Sequence, residues 1–272
     1  MKTHPLFRKT ALTAALASAS MMFGGPVLAA QAADADATSQ AAPAASEAAA
    51  PGNYVTAQDA DQLLAKDLIG LDVKNEEDKD KTVGKISDVI LDRDGSISGI
   101  VVGVGGFLGL GEKDVGMPWD RIESIDTGNK IVHVDATKDE LKDAPEFKDE
   151  DEQKKDDKRD AKDDDGSQAR VGYYILDQGG DQILADELIG MDVKNQGEDD
   201  EKVGNISDVI LGMDGKVSGV VGVGGFIGMG EKDVGMPWDR IQSVDSDDKV
   251  VRVDVSKDEL KDAPEYKKAK DE

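Results

Sequence analysis

Cysteine is absent from all 272 residues. The fold is therefore stabilised without disulfides, a lipid anchor on an amino-terminal cysteine is excluded, and the commonest structural zinc ligand is missing. Histidine is nearly as scarce, since His4 lies in the opening segment and His133 is the only other one. A zinc site or a Ser-His-Asp triad would have to rest on that single imidazole. His133 is flanked by Val132 and Val134, which are the better core candidates in an alternating strand, so its side chain is expected to point outward. Aromatic residues make up only 4% of the chain, which makes Trp119 and Trp238 natural choices for closing a core. Basic residues are also short, at 33 against 58 acidic ones, and the formal net charge is −25. Such a surface repels phosphate backbones and anionic headgroups, so neither nucleic acid nor a lipid surface is an expected partner.

Long apolar runs are missing after residue 30. Before it, Lys2, Arg8 and Lys9 precede an apolar run that starts at Ala11, and small residues follow at 29–32. This three-part pattern is that of a secretory signal peptide, with cleavage after Ala29 or Ala32 fitting the small-x-small rule. The alternative is a retained membrane anchor, but Gly24, Gly25 and Pro26 interrupt a run of only about the minimum spanning length. Removing the signal, residues 1–30, leaves 58 acidic residues against 30 basic ones, a charge of about −28. The expectation is an exported, periplasmic protein that is not inserted in a membrane after cleavage.

What the chain does have is internal repetition. Residues 31–52 are Ala, Pro, Ser and Asp with almost nothing large to bury, a composition that predicts a flexible tether. Residues 149–165 hold ten acidic and five basic residues, and the stretch 149–170 is expected to be a solvated acidic linker. On either side of it lies one unit, expected at 53–148 and 171–268. "KDLIGLDVKN" from Lys66 matches "DELIGMDVKN" from Asp186, and "VGKISDVIL" from Val83 matches "VGNISDVIL" from Val203. "KDELKDAPEF" from Lys138 matches "KDELKDAPEY" from Lys257 in the same way. The period of about 120 residues is far too long for a solenoid, so this is a duplicated domain.

Within each unit the apolar runs are short and β-branched, and turn signals separate them. Asp94-Gly95 and Asp214-Gly215 are the strongest hairpin cues. Many short strands closed by such turns predict an all-β fold of two small barrels, with accessory helices near residues 59–66 and 139–142. Thr56, or Gln58 and Asp59, would cap the first helix. One irregularity stands out: "GIVVGVGG" from Gly99 becomes "GVVGVGG" from Gly219, one residue shorter. An uncompensated deletion would turn half a strand inside out, so a bulge or glycine kink is expected at 99–103 or 219–222.

The stretch 105–121, "GGFLGLGEKDVGMPWDR", recurs at 224–240 with 15 of 17 positions identical. It is rich in glycine and carries a lysine, but Glu112 separates Gly111 from Lys113 and Asp114 follows, so the spacing of a phosphate-binding loop is not met. A strand, a glycine-rich loop and a second strand account for it. Phe107 and Leu108, with Phe226 and Ile227, would then stand at loop tips as candidate partner contacts. Lys113, Lys232, Trp119 and Trp238 complete the candidate binding set. "DRDG" at 92–95 has the start of a calcium loop, yet copy two reads "GMDG" and neither has the glutamate at the twelfth position. No acidic pair lies in an apolar setting that would raise a pKa. Neither a metal, a cofactor nor a catalytic residue is predicted.

Taken together, "LIGMDVKN", "VGNISDVIL" and "DGKVSGVVGVGGFIGMGEKDVGMPWDRI" resemble the PRC-barrel family, named for the globular domain of the photosynthetic reaction-centre H subunit. The resemblance covers about 66–135 and 186–254. It implies two barrels of about six strands each, used for docking or assembly and without enzymatic activity. The expected function is that of an exported protein-binding module in the cell envelope, its partner an envelope protein of unknown identity. Two other expectations stand beside it: an acidic, ion-interacting or stress-related periplasmic protein, and a factor associated with reaction centres.

Overall fold

The computed structural model describes residues 53–75, 81–107, 110–156, 170–171, 173–197, 200–226 and 229–269. The first copy supplies β1 (Gln62–Leu64), α1 (Ala65–Leu68), β2 (Asp72–Asn75), β3 (Thr82–Asp92), β4 (Ile97–Phe107) and β5 (Leu110–Pro118). After a 3-10 turn at Trp119–Arg121 come β6 (Ile122–Asp126), β7 (Ile131–Val134), α2 (Lys138–Asp143) and α3 (Glu150–Asp156). The second copy opens with β8 (Arg170–Val171), β9 (Tyr174–Ile175), β10 (Gln182–Leu184), α4 (Ala185–Leu188) and β11 (Asp192–Asn195). It continues with β12 (Lys202–Gly212), β13 (Val217–Phe226), β14 (Met229–Pro237), a 3-10 turn at Trp238–Arg240, β15 (Ile241–Asp245), β16 (Val250–Val253) and α5 (Lys257–Asp262).

The six main strands of the first copy run in the order β6-β7-β2-β3-β4-β5, and those of the second in the order β14-β13-β12-β11-β16-β15. Each set is antiparallel except at the β2–β7 and β11–β16 pairs, which are parallel. The mainly β architecture of about six strands per copy is as the sequence implied, although neither sheet closes into a barrel. Both Asp-Gly turns form as predicted, linking β3 to β4 and β12 to β13. The extra residue of the first copy is absorbed one position before the predicted window. Ile90 faces Gly99 and Leu91 faces Ile97, which leaves Ser98 as the additional residue, whereas Ile210 and Leu211 face Ser218 and Val217 in step. At the strand before α2, Val132 and Val134 are buried and His133 is half-buried, matching the predicted alternation.

Alternation fails in "DVIL", where Val89, Ile90 and Leu91 are all buried, as are Val209, Ile210 and Leu211. A strand reads this way only when both faces are covered. One face turns into the main core, which takes Val89, Leu91, Val209 and Leu211. The other face is covered by a segment of the opposite repeat. β1 pairs with β12, two residues of its register being Leu63↔Leu211 and Leu64↔Ile210, and β10 pairs with β3 through Ile183↔Leu91 and Leu184↔Ile90. Residues 54–68 thus lie on the second copy and residues 174–188 on the first. Each such arm seals a small outer core: Ile90, Val101, Phe147, Ile175 and Leu184 on one side, and Leu64, Ile210, Val220 and Tyr266 on the other.

This exchange moves the first predicted helix. Residues 62–64 are strand and only Ala65–Leu68 is helical, because β12 takes the backbone hydrogen bonds that a helix from residue 59 would have needed. The second accessory helix forms at Lys138–Asp143, with Thr137 and Glu140 in a capping box. The described flanks of the acidic stretch have definite positions. The stretch begins beside β5, where the Phe147 N–H donates to the Asp114 carbonyl, and ends at β9, where Ile175 again pairs with β5 at Gly116. Its two flanks therefore sit on the same sheet-rich unit. Residues 69–71 and 189–191 are what pass from one unit to the other.

The two hairpin turns meet at the seam between the units. Ile97 N–H donates to the Gly215 carbonyl and Val217 N–H to the Gly95 carbonyl, each at 2.9 Å. These reciprocal bonds mark an approximate two-fold relation between the repeats.

Candidate functional site

The repeated "PWDRI" stretch places an arginine at the end of each 3-10 turn, and in both copies it faces a tyrosine of the incoming arm. Arg240 lies 5.5 Å above the Tyr54 ring, while its Nε donates to Asp254 at 2.9 Å and its Nη2 to Glu259 at 3.1 Å. The Tyr54 hydroxyl donates to the same Glu259 carboxylate at 3.0 Å. Burial, reinforced by that bond, pushes the Tyr54 pKa up to about 12. In the first copy Arg121 sits 5.6 Å from the Tyr173 ring and 5.3 Å from the Tyr174 ring. A cation held on an aromatic face by a carboxylate frame is a geometry of recognition, and what it recognises is the arm.

Glycine completes each receptor. A side chain on Gly116 would collide with the Ile175 carbonyl and the Phe147 ring, and one on Gly235 with the Val55 carbonyl and the Tyr266 ring. These two glycines of "DVGMP" let the arm backbone approach the strand, as shown by the Ile175↔Gly116 and Val55↔Gly235 pairings.

A buried carboxylate receives the start of each arm helix. Neither α1 nor α4 has a side-chain cap of its own from the preceding leucine. Asp208 accepts the Lys66 N–H at 3.3 Å, and Asp88 accepts the Asp186 N–H at 3.2 Å, in addition to the N–H of the residue that follows each aspartate. Both carboxyls are pushed up by burial, Asp88 to about 7 with Asp186 and Glu187 adding repulsion. Lys66 and Lys268 temper the effect at Asp208. The expectation stated from the sequence concerns acidic pairs only and misses these two single buried carboxyls. "SDVIL" sets its aspartate under an arm that is distant in sequence, so no local pattern announces the burial.

The candidate binding residues divide into three groups. Lys113 and Lys232 turn inward: their ammonium groups donate to the Ala144 and Ala263 carbonyls, each at 2.6 Å, and also to those of Lys142 and Lys261. They thereby satisfy the last carbonyls of α2 and α5. Trp238 is buried over Gly95, and its indole N–H donates to the Arg93 carbonyl at 3.0 Å, so it belongs to the seam rather than to a partner surface. Trp119 is half-buried against the main core. Phe107 and Phe226 end β4 and β13, paired with Leu110 and Met229. Leu108 and Ile227 lie outside the described residues.

Among the described residues no group of three or more His, Asp or Glu is placed to hold a metal ion. A cleft of about 550 Å³ opens where α3, α4 and the β15–β16 turn meet, lined by Glu150, Lys154, Asp186, Glu187, Asp247 and Lys249 among others. Lys154 bridges it with contacts of 3.5 Å to Glu150 and 3.6 Å to Asp247.

The PRC-barrel domain model matches twice, over residues 60–141 and 180–260. The chain belongs to the PRC-barrel family. The two matches are the two sheet-rich units, and each begins inside an arm that crosses to the other PRC unit. No curated protein matches the sequence. The arms escape a reading of the repeats that starts at Lys66 and Asp186, since most of each arm lies before those residues. A signal does extend upstream, in the parallel between "YVTAQDADQLLA" from Tyr54 and "YILDQGGDQILA" from Tyr174.

Proposed function

We propose that this tandem PRC-barrel chain is a non-catalytic assembly module that acts after export and binds a partner protein in the cell envelope through its two glycine-rich hairpins. The observation that supports the reading is the reach of those hairpins. In the first unit β3 pairs with β4 only as far as Gly103, while β4 and β5 run on together through Val104↔Lys113 and Gly105↔Glu112 to Phe107↔Leu110. The second unit repeats this, with β12 stopping at Gly222 and the β13–β14 pair continuing to Phe226↔Met229. Two outreaching hairpins, paired as far as Phe107↔Leu110 and Phe226↔Met229, are presented by one interlocked body. Bivalent capture then rests on a fixed spacing between them rather than on a flexible tether.

The buried polar groups support the absence of catalysis: the raised carboxyls of Asp88 and Asp208 face backbone N–H groups of the arms. Export rests on the amino-terminal signal pattern. The test is affinity capture from envelope extract with the full mature chain and with a Phe107→Ser/Phe226→Ser variant. Loss of a stoichiometric partner by the variant, at unchanged thermal stability, is the expected result. Equal capture by both proteins would remove the hairpins from the interface.

A further inference from the structure

The two receptors are filled in different ways. The first unit, residues 72–148, continues along the chain through the acidic segment into its own covering arm at 174–188. The second unit is covered instead by residues 54–68, which precede it by more than a hundred positions. Its receptor consists of Arg240 and Glu259 around Tyr54, Gly235 under Val55, and Asp208 at the start of α1. Of the arm, Leu64 is buried there with Ile210, Val220 and Tyr266 of the second unit, while Tyr54, Ala65 and Leu68 enter the main core. Only residues 69–71 connect it to the first unit, with Gly70 in the left-handed region at φ 90°.

From this we infer that the receptor of the second unit is also a docking site for a second copy of the chain, which occupies it with the same arm. Two molecules that each open at residues 69–71 and exchange residues 54–68 restore every arm contact in a closed, reciprocal dimer. The occupant is set by the chemistry of the receptor: a tyrosine for the arginine-carboxylate frame, a β-strand backbone over Gly235, and an apolar strand leading to a helix start at Asp208. Residues 54–68 of another copy meet each requirement. The closed monomer competes through the effective concentration of its own tethered arm, so exchange is a function of protein concentration.

The absence of native cysteine permits a direct test. Ala57 and Lys267 are paired across the arm and the end of the second unit, and both are exposed. A full chain carrying Ala57→Cys and Lys267→Cys together is expected to oxidise to a cross-linked monomer when dilute. Two full chains, one carrying Ala57→Cys and the other Lys267→Cys, are then unfolded together and refolded at about 1 mM, near the effective concentration of a short tether. A mixed disulfide dimer of the two chains is expected, at a yield that falls on dilution. Its yield should exceed that of a control mixture in which exposed Glu123→Cys replaces Lys267→Cys. A mixed yield no greater than the control overturns the inference, as does failure of the doubly substituted chain to cross-link within itself.

Discussion

At Gly235 the arm of the first repeat passes so close to β14 that a Cβ would strike both the Val55 carbonyl and the Tyr266 ring. Gly235→Val is therefore expected to cost about 3 kcal/mol by forcing strand, arm or ring out of place. At Gly180 a Cβ would meet nothing within 4 Å, so this position should accept alanine within about 0.5 kcal/mol. Urea denaturation of the two variants checks the contrast, and equal midpoints would mean that the arm does not seat on β14. Asp88 carries a second prediction. Its carboxyl is raised by burial to about 7, above the value near 4 of an unfolded aspartate, so the folded chain binds the extra proton between these limits. Stability from this group is fully present only below about pH 4, declines as pH rises from there through 7, and stays low above it. Asp88→Asn keeps an oxygen for the two backbone donors without the charge, and should gain roughly 2–4 kcal/mol at pH 8 and almost nothing at pH 4. Asp208 is shifted in the same direction, so part of the slope persists in the variant. An undiminished slope would assign the titration elsewhere.

Strands, Asp-Gly turns, the short helix near 139–142 and the duplication were legible in the sequence because each is set by neighbours along the chain. Ser98 illustrates how far that reach extends: the missing residue in "GVVGVGG" demanded a bulge close by, and the extra residue was taken up just before Gly99. The arms were not legible in the same way, since residues 62–64 become strand only in contact with β12. Even so, the unbroken apolar run of "DVIL" already required a cover on both faces. Lys113 and Lys232 look like outward contacts in the sequence for a related reason. Their partners are helix carbonyls about thirty residues downstream, beyond any local pattern. The acidic segment gives a prediction at this scale. Because Phe147 and Ile175 both seat on β5, a single proteolytic cut introduced between residues 157 and 169 should leave the chain in one piece under native conditions. Size-exclusion chromatography of the nicked protein is expected to show one peak holding both fragments; their separation would show that the arms do not hold the units together.

As a whole molecule the protein has one main core that draws on both repeats. Leu68, Val73 and Ile86 share it with Leu188, Val193 and Ile206, and Trp238 enters it while resting on the Gly95 turn of the other unit. Two domains on a flexible tether would unfold independently, each with its own midpoint. Units that exchange arms and share a core lose each other's cover when either one opens, which couples their unfolding into a single transition. The two tryptophans report on this separately, since Trp119 belongs to the first unit and Trp238 to the second. Fluorescence of Trp119→Phe and Trp238→Phe variants during urea unfolding is therefore expected to give midpoints that coincide with each other and with the loss of β circular dichroism, once each variant's own stability change is allowed for. The Leu64→Ala substitution sharpens the test, because Leu64 is encoded in the first repeat but buried on the second. It should lower both fluorescence midpoints together by a destabilisation of about 2–5 kcal/mol. A shift confined to Trp238 would reveal two units that unfold separately in spite of their exchanged arms.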